Sequence, residues 1–158
     1  MPVIELCTEI RASAERCFDL ARSVDLHVQS TARTGERAVA GVTRGLLGPG
    51  ERVTWRARHF GVWQELTSEI TRFDRPRHFR DSMVRGAFAG FDHDHFFFER
   101  DGVTAMRDRF AFRSPLGPLG RIADALVLTR YLRRFLVRRN AELRRVAESD
   151  EWRALLGA

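Results

Sequence analysis

The stretch from residue 50 to 113 constrains the fold more than any other part of the chain. Five candidate strands follow one another there: "ERVTWRARHF", "VWQELTSEITRF", "HFRDSMVR", "AGFDHDHFFFE" and "VTAMRDRFAFR". Only short turns separate them, at Phe60-Gly61, Asp74-Arg75-Pro76, Gly86-Ala87 and Asp101-Gly102. A parallel crossover needs about a dozen residues or more, so links this short demand antiparallel neighbours. An Asp-Gly pair between two strands is itself a strong hairpin signal. Residues 50–113 therefore read as one long antiparallel meander.

The flanks complete the pattern. Residues 2–11, "PVIELCTEIR", alternate loosely and read as a first strand. Ser13 is placed to cap a helix over "AERCFDLAR", with Phe18, Leu20, Ala21 and Val24 as its buried stripe. A second short helical piece spans "VDLHVQS". Between 30 and 50 the pattern weakens: Thr34-Gly35 breaks the chain, and "GLLGPG" is turn-rich with two exposed-looking leucines, as in a flexible lid. After the meander, "SPLGPLG" reads as a rigid turn. Leu119, Ile122, Leu126, Thr129, Leu132, Leu136 and Leu143 then follow helical spacing, which predicts one long helix over 118–147. Neither the sheet face nor the leucine stripe can stay wet, so this helix must cover the sheet.

A chain of 158 residues suits one domain, 1–158, with a real core. Its 12 phenylalanines need burial, either in that core or around an apolar cavity. All 27 basic residues are arginine and the net charge is +6. Arginine favours bidentate contact with carboxylate or phosphate, but composition selects no ligand. Cys7 and Cys17 lack metal-binding spacing and read as small buried residues in a reducing compartment. Glu5 and Glu9 interrupt the N-terminal apolar run, so no signal peptide is expected, and no apolar stretch reaches membrane-spanning length. The expected location is cytoplasmic.

The chemistry concentrates in "GFDHDHFFFE", residues 90–99. On a strand, His93 and His95 point one way with Phe91 and Phe97, while Asp92 and Asp94 point the other way with Phe96 and Phe98. Two histidines at i and i+2 need a third ligand to hold a metal, and Asp81 or Asp108 on neighbouring strands could supply it. Asp108 shares its face with Met106, Phe110 and Phe112, and a carboxylate in that company needs a partner. Pairing with His93, His95 or an arginine such as Arg85 is the preferred reading, and no metal is expected. Trp55 and Trp63 fill the sheet or line its cavity; the parity of Trp63 with Glu65, Thr67 and Glu69 leaves its side open. Phe96 or Phe98 offers a surface for a second copy of the chain, a homodimer. Neither a GxxxxGK[ST] loop, a GxGxxG fingerprint nor a GxSxG elbow occurs, and no cofactor is implied. The run "RYLRRFLVRRN" could touch phosphate, but half of its helix is taken up by the sheet, which disfavours nucleic acid.

The order of strand, short helices, about six strands and a long last helix resembles the helix-grip domains of the START-like, or SRPBCC, superfamily. The likeness is to small bacterial members described as polyketide-cyclase-like or ligand-binding. It is carried by Phe79, Asp81, Gly86, Phe88, Phe91, His93, His95 and Phe97, then Gly102, Thr104, Asp108, Phe112, Pro115 and Gly117. Positions 91 and 112 are Phe where relatives often have Trp and Tyr, which removes an N–H and a phenol. The resemblance implies an α+β fold, a curved antiparallel sheet wrapped around the C-terminal helix. It also implies that the cavity between them binds a hydrophobic or amphipathic small molecule of lipid, polyketide or aromatic type. Expected ligand contacts are Phe91, His93, His95, Phe97, Asp81, Asp108, Phe110, Phe112 and Trp63. Two alternatives stand beside this. One is an aromatase/cyclase- or dehydratase-like enzyme using His93 or His95 with Asp81 or Asp108. The other is an arginine-rich module that binds protein or nucleic acid.

Overall fold

The computed structural model describes residues 1–114 and 127–158. The expected turn at 114–120 and Pro115, Gly117, Leu119, Ile122 and Leu126 therefore lie wholly or largely outside the described residues. The chain begins with β1 (Val3–Ile10), α1 (Ala14–Ala21), α2 (Val24–Ser30) and a short 3-10 turn (Ala32–Thr34). The strands β2 (Arg37–Gly41), β3 (Arg52–His59), β4 (Val62–Asp74), β5 (His78–Arg85), β6 (Gly90–Arg100) and β7 (Val103–Arg113) follow. Two helices, α3 (Thr129–Ala147) and α4 (Glu151–Leu156), end it.

All strands join one seven-stranded antiparallel sheet in the order β1-β7-β6-β5-β4-β3-β2. The five meander strands form as their short links require. At two of those links both turn residues have positive φ: Phe60 (52°) with Gly61 (76°), and Asp101 (52°) with Gly102 (76°). These are the backbone values of a tight hairpin turn whose twist matches that of its strands. The register slips within β2 and twice between β4 and β5. Such bulges bend a strand and add twist, which curves the sheet around its helices. The result is the helix-grip arrangement, an α+β fold.

Ser13 caps α1 as its sequence position suggests, its Oγ accepting from Arg16 N at 3.3 Å. Phe18, Leu20, Ala21 and Val24 are all buried. Phe18 meets Phe73, Phe79 and Phe97 edge-on, with ring centroids 5.3, 5.1 and 5.4 Å apart. The last turns of α3 close this core with Leu143, Val146 and Ala147. A second apolar group, Ile4, Phe110, Phe112 and Leu136, lies further along the sheet.

Two expectations need correction. The 45–50 segment is not a lid: Leu47 is buried, Leu46 is half-buried, and none of its residues lines the cavity. Its backbone is tied down instead. Val24 N donates to Gly45 O (2.9 Å), Leu47 N to Arg22 O (3.1 Å), and Gly50 N to Ile70 O (2.9 Å). Arg22 Nη1 also donates to Leu47 O at 3.0 Å. A turn-rich segment still has peptide groups to satisfy, and the α1–α2 junction satisfies them. Cys7 is exposed on β1, and only Cys17 is buried. Among the described residues, no helix is long and apolar enough to cross a membrane.

Candidate functional site

A cavity of about 410 Å³ lies between the concave face of the sheet and α3. Its apolar walls come from Trp55, Ala57 and Leu66 on β3 and β4, from Phe88, Phe91 and Phe110, and from Leu132, Phe135 and Leu136 on α3. Two polar groups interrupt those walls.

The first group is built by strand register. Asp81 on β5 is paired with His93 on β6, and His95 on β6 is paired with Asp108 on β7. The alternation of each strand turns these four side chains to the same face. Asp108 sits at the back, almost fully buried. His93 Nε2 lies 3.1 Å from Asp108 Oδ1, and His95 Nδ1 lies 2.7 Å from the same oxygen. Asn140 Nδ2, from α3, donates to Asp108 Oδ2 at 2.6 Å. The two imidazole centroids are 3.9 Å apart. An ionised carboxylate only accepts, so His93 carries its proton on Nε2 and keeps Nδ1 as an acceptor. His95 is different. Its Nε2 stands 3.8 Å from Asp81 Oδ2, and among the described residues neither of its nitrogens makes a hydrogen bond of good geometry. Asp81 retains 23 % side-chain accessibility and lines the cavity.

Charge is shared out within this group. Burial by itself would raise the Asp108 carboxyl, but hydrogen bonds and charge from His93 and His95 outweigh it and hold the group well below the usual carboxylate range. Asp81 is lowered too, burial being outweighed by His95, His93 and Arg139. Burial disfavours the His95 cation, yet Asp108 and Asp81 outweigh that and raise it. His93 moves the other way, because burial and the neighbouring His95 exceed the help from Asp108. One imidazole of the pair thus carries the charge, and the one facing the cavity is neutral.

The second group was not visible in the sequence. Glu36 is 8 % exposed; its Oε1 lies 2.9 Å from His27 Nε2, and its Oε2 is buried with no partner among the described residues. His27 stacks on Trp55 at 4.1 Å. His59 Nδ1 is 2.6 Å from the hydroxyl of Tyr131. Burial works against the Glu36 anion, but His27, His59 and Arg139 outweigh it and lower the group. Burial lowers His59. Arg139 lines the cavity too and donates from Nη2 to Ala21 O at 3.0 Å.

Of the residues expected at the site, Phe91, His93, Phe110 and Asp81 line the cavity. His95 and Asp108 stand behind them. Phe97 packs into the core with Phe18 and Phe79. Phe112 is fully buried against Phe88 and Phe110. Trp63 is on the wrong face: it is 54 % exposed, with Arg56 over its ring, while Gln64, Leu66 and Ser68 take the cavity side of β4. Arg85 does not pair with Asp108; its Nε reaches Thr67 Oγ1 at 3.3 Å. Arg130, Arg133, Arg134 and Arg138 are not buried on α3, but Arg139 is. Arg139 and Asn140 did leave a signal. With Leu136 and Leu143 they fall at i, i+3, i+4 and i+7, two polar residues on the stripe that faces the sheet.

No family model matches the chain, and no curated protein does. Solved structures do match. The protein TTHA0849 from Thermus thermophilus superposes with a TM-score of 0.70 at 17% identity, covering 90% of this chain and 97% of that one. A START superfamily protein from Mycobacterium smegmatis gives 0.70 at 11% identity, covering 92% and 97%. The major latex-like protein 151 of Panax ginseng gives 0.68 at 13% identity, covering 94% and 98%. At these identities the likeness is one of architecture: the chain has the helix-grip fold that these proteins share.

Proposed function

We propose that the protein is a START-like ligand-binding domain that takes a hydrophobic or amphipathic small molecule between its sheet and α3. The observation that carries this is the cavity itself: about 410 Å³ of mostly apolar space, with polar side chains converging at two places. Such a site gains affinity from its apolar walls and orientation from its few polar groups. The buried Glu36 Oε2 asks for a donor, so a ligand bearing a hydroxyl or N–H fits better than a pure hydrocarbon. N-phenyl-1-naphthylamine, a neutral aromatic amine, is a suitable fluorescent probe. The expected result is uptake of one equivalent, with Phe91→Ala shifting the affinity by about fivefold, the scale of ~1 kcal/mol. Absence of uptake, or identical affinity in the folded variant, overturns this reading.

One observation favours a second reading, an enzyme of the cyclase or dehydratase type. His93 faces the cavity, neutral, with Asp108 bonded to its far nitrogen and Asn140 bonded to Asp108. A positioned neutral imidazole can remove a proton from an activated carbon. Exchange of solvent deuterium into an enolisable aromatic ketone, followed by NMR and abolished by His93→Ala, supports it. Equal exchange in the variant counts against it.

A further inference from the structure

We propose that Asp81, His93 and His95 form a binding site for a first-row divalent transition-metal ion, of the zinc or iron(II) kind. One ligand atom from each of the three residues lies within 4.8 Å of the other two. The separation of His95 Nε2 from Asp81 Oδ2 is 3.8 Å. That is too long for a hydrogen bond. Two ligands each about 2.1 Å from one ion stand roughly 3.4 Å apart at a tetrahedral angle and up to about 4.2 Å apart on opposite sides, so the distance suits a shared ion.

The surroundings make the same case. Metal-bound histidines are held on their far side by a carboxylate or carbonyl, which fixes the tautomer and aims the ring. Asp108 is placed for that task on both rings at once, through His93 Nε2 and His95 Nδ1. Asn140 in turn fixes Asp108 from α3. The nitrogens left for a ligand are His93 Nδ1 and His95 Nε2, and the latter is completely buried without a hydrogen bond among the described residues. A fully buried imidazole nitrogen with no partner is costly unless something binds it. Two carboxylates also balance the charge of a divalent ion. Two imidazoles and one carboxylate select zinc, iron or cobalt over magnesium or calcium, which prefer oxygen donors. Asp81 and His93 line the cavity, so further coordination positions face the space where a small molecule would lie. The sequence alone argued against a metal because Asp92 and Asp94 point away from the histidines. The sheet register supplies Asp81 in their place.

The test uses the full chain, stripped with chelator, dialysed into metal-free buffer and titrated with Zn2+, Co2+ and, as a hard-ion control, Mg2+. The expected result is one equivalent of Zn2+ or Co2+, visible d–d bands with Co2+, and no uptake of Mg2+ at the same concentrations. Asp81→Asn and His95→Gln each weaken binding at least about tenfold, and Asp108→Asn weakens it by about 10–100-fold. His78→Gln, on the opposite face of the sheet beside Asp94, binds as the parent does. Circular dichroism checks that each variant is folded. If His95→Gln does not fold, Asp81→Asn carries the test, since its side chain lies at the cavity surface. No stoichiometric uptake by the folded parent, or equal affinity in Asp81→Asn, or equal loss in His78→Gln, overturns the proposal. Probe uptake is a separate measurement, so this site and the ligand-binding reading stand or fall independently.

Discussion

Asp19 shows how one carboxylate can fasten three parts of the chain. Arg22 Nε and Nη2 reach its Oδ1 at 2.9 and 2.7 Å, and Arg75 Nη2 reaches its Oδ2 at 2.7 Å. Arg22 continues to Leu47 O, so α1, the β4–β5 turn and the 45–50 segment meet here. Burial would raise the Asp19 carboxyl, but hydrogen bonds from Arg75 and Arg22 outweigh it and lower the group. A carboxylate whose folded value is depressed contributes stability above its unfolded value of about 3.9, and loses it as pH falls through the folded value. Asp19→Asn is therefore expected to cost about 1–2 kcal/mol at neutral pH, with Arg75 adding little because it is 43 % exposed. Urea unfolding at pH 7 and at pH 3 checks this: the difference between parent and variant must shrink at the lower pH. A constant difference would assign the effect to packing. At this scale the sequence was legible wherever parity ran unbroken. His93, His95, Asp81 and Asp108 fall on one face, as parity predicts, because β5, β6 and β7 alternate cleanly across their register there. Trp63 was misplaced because its parity alone did not say which face of β4 turned inward. Glu36 and His59 were invisible because each becomes polar lining only through contacts made with other parts of the fold.

Among the elements, hairpins were the most legible because their turns are local chemistry. Asp101 and Gly102 both adopt positive φ, at 52° and 76°. A Cβ added at Gly102 would meet nothing within 4 Å, so the cost of Gly102→Ala is conformational rather than steric. The expected loss is about 1 kcal/mol, read as a lower denaturant midpoint with unchanged slope. A loss near zero would show that the turn relaxes to another type. The short helices were equally plain, since Ser13 and Ser23 each accept from a backbone N–H three residues on. β2 was not. "RAVAG" is short and carries little apolar alternation; it becomes a strand because β3 offers it an open edge. The same long-range logic hid the fate of 45–50, whose hydrogen-bond partners lie in and around α1, α2 and β4.

For the molecule as a whole, the meander and the covering helix followed from pattern, and the cavity followed from their curvature. Its volume did not, because the space left depends on how α3 seats against the sheet. The strand order bears on how the chain reaches this state. β1, first along the chain, is hydrogen-bonded only to β7, with Ile10 opposite Thr104 and Val3 opposite Ala111. Those pairings close loops of about a hundred residues, and long-range pairing slows folding towards the millisecond-to-second range. During synthesis the first strand waits unpaired until the last has emerged, while the hairpins between β3 and β7 close locally behind it. A chain shortened to begin at Arg11 is expected to keep those hairpins but to leave β7 as a bare edge, and to self-associate through it. Light scattering of that variant against the full chain decides the matter; a stable monomer would show that β7 needs no guard. The N-terminal strand is thus a late-arriving seal: its docking ends the interval in which the nascent sheet can recruit a strand from another molecule.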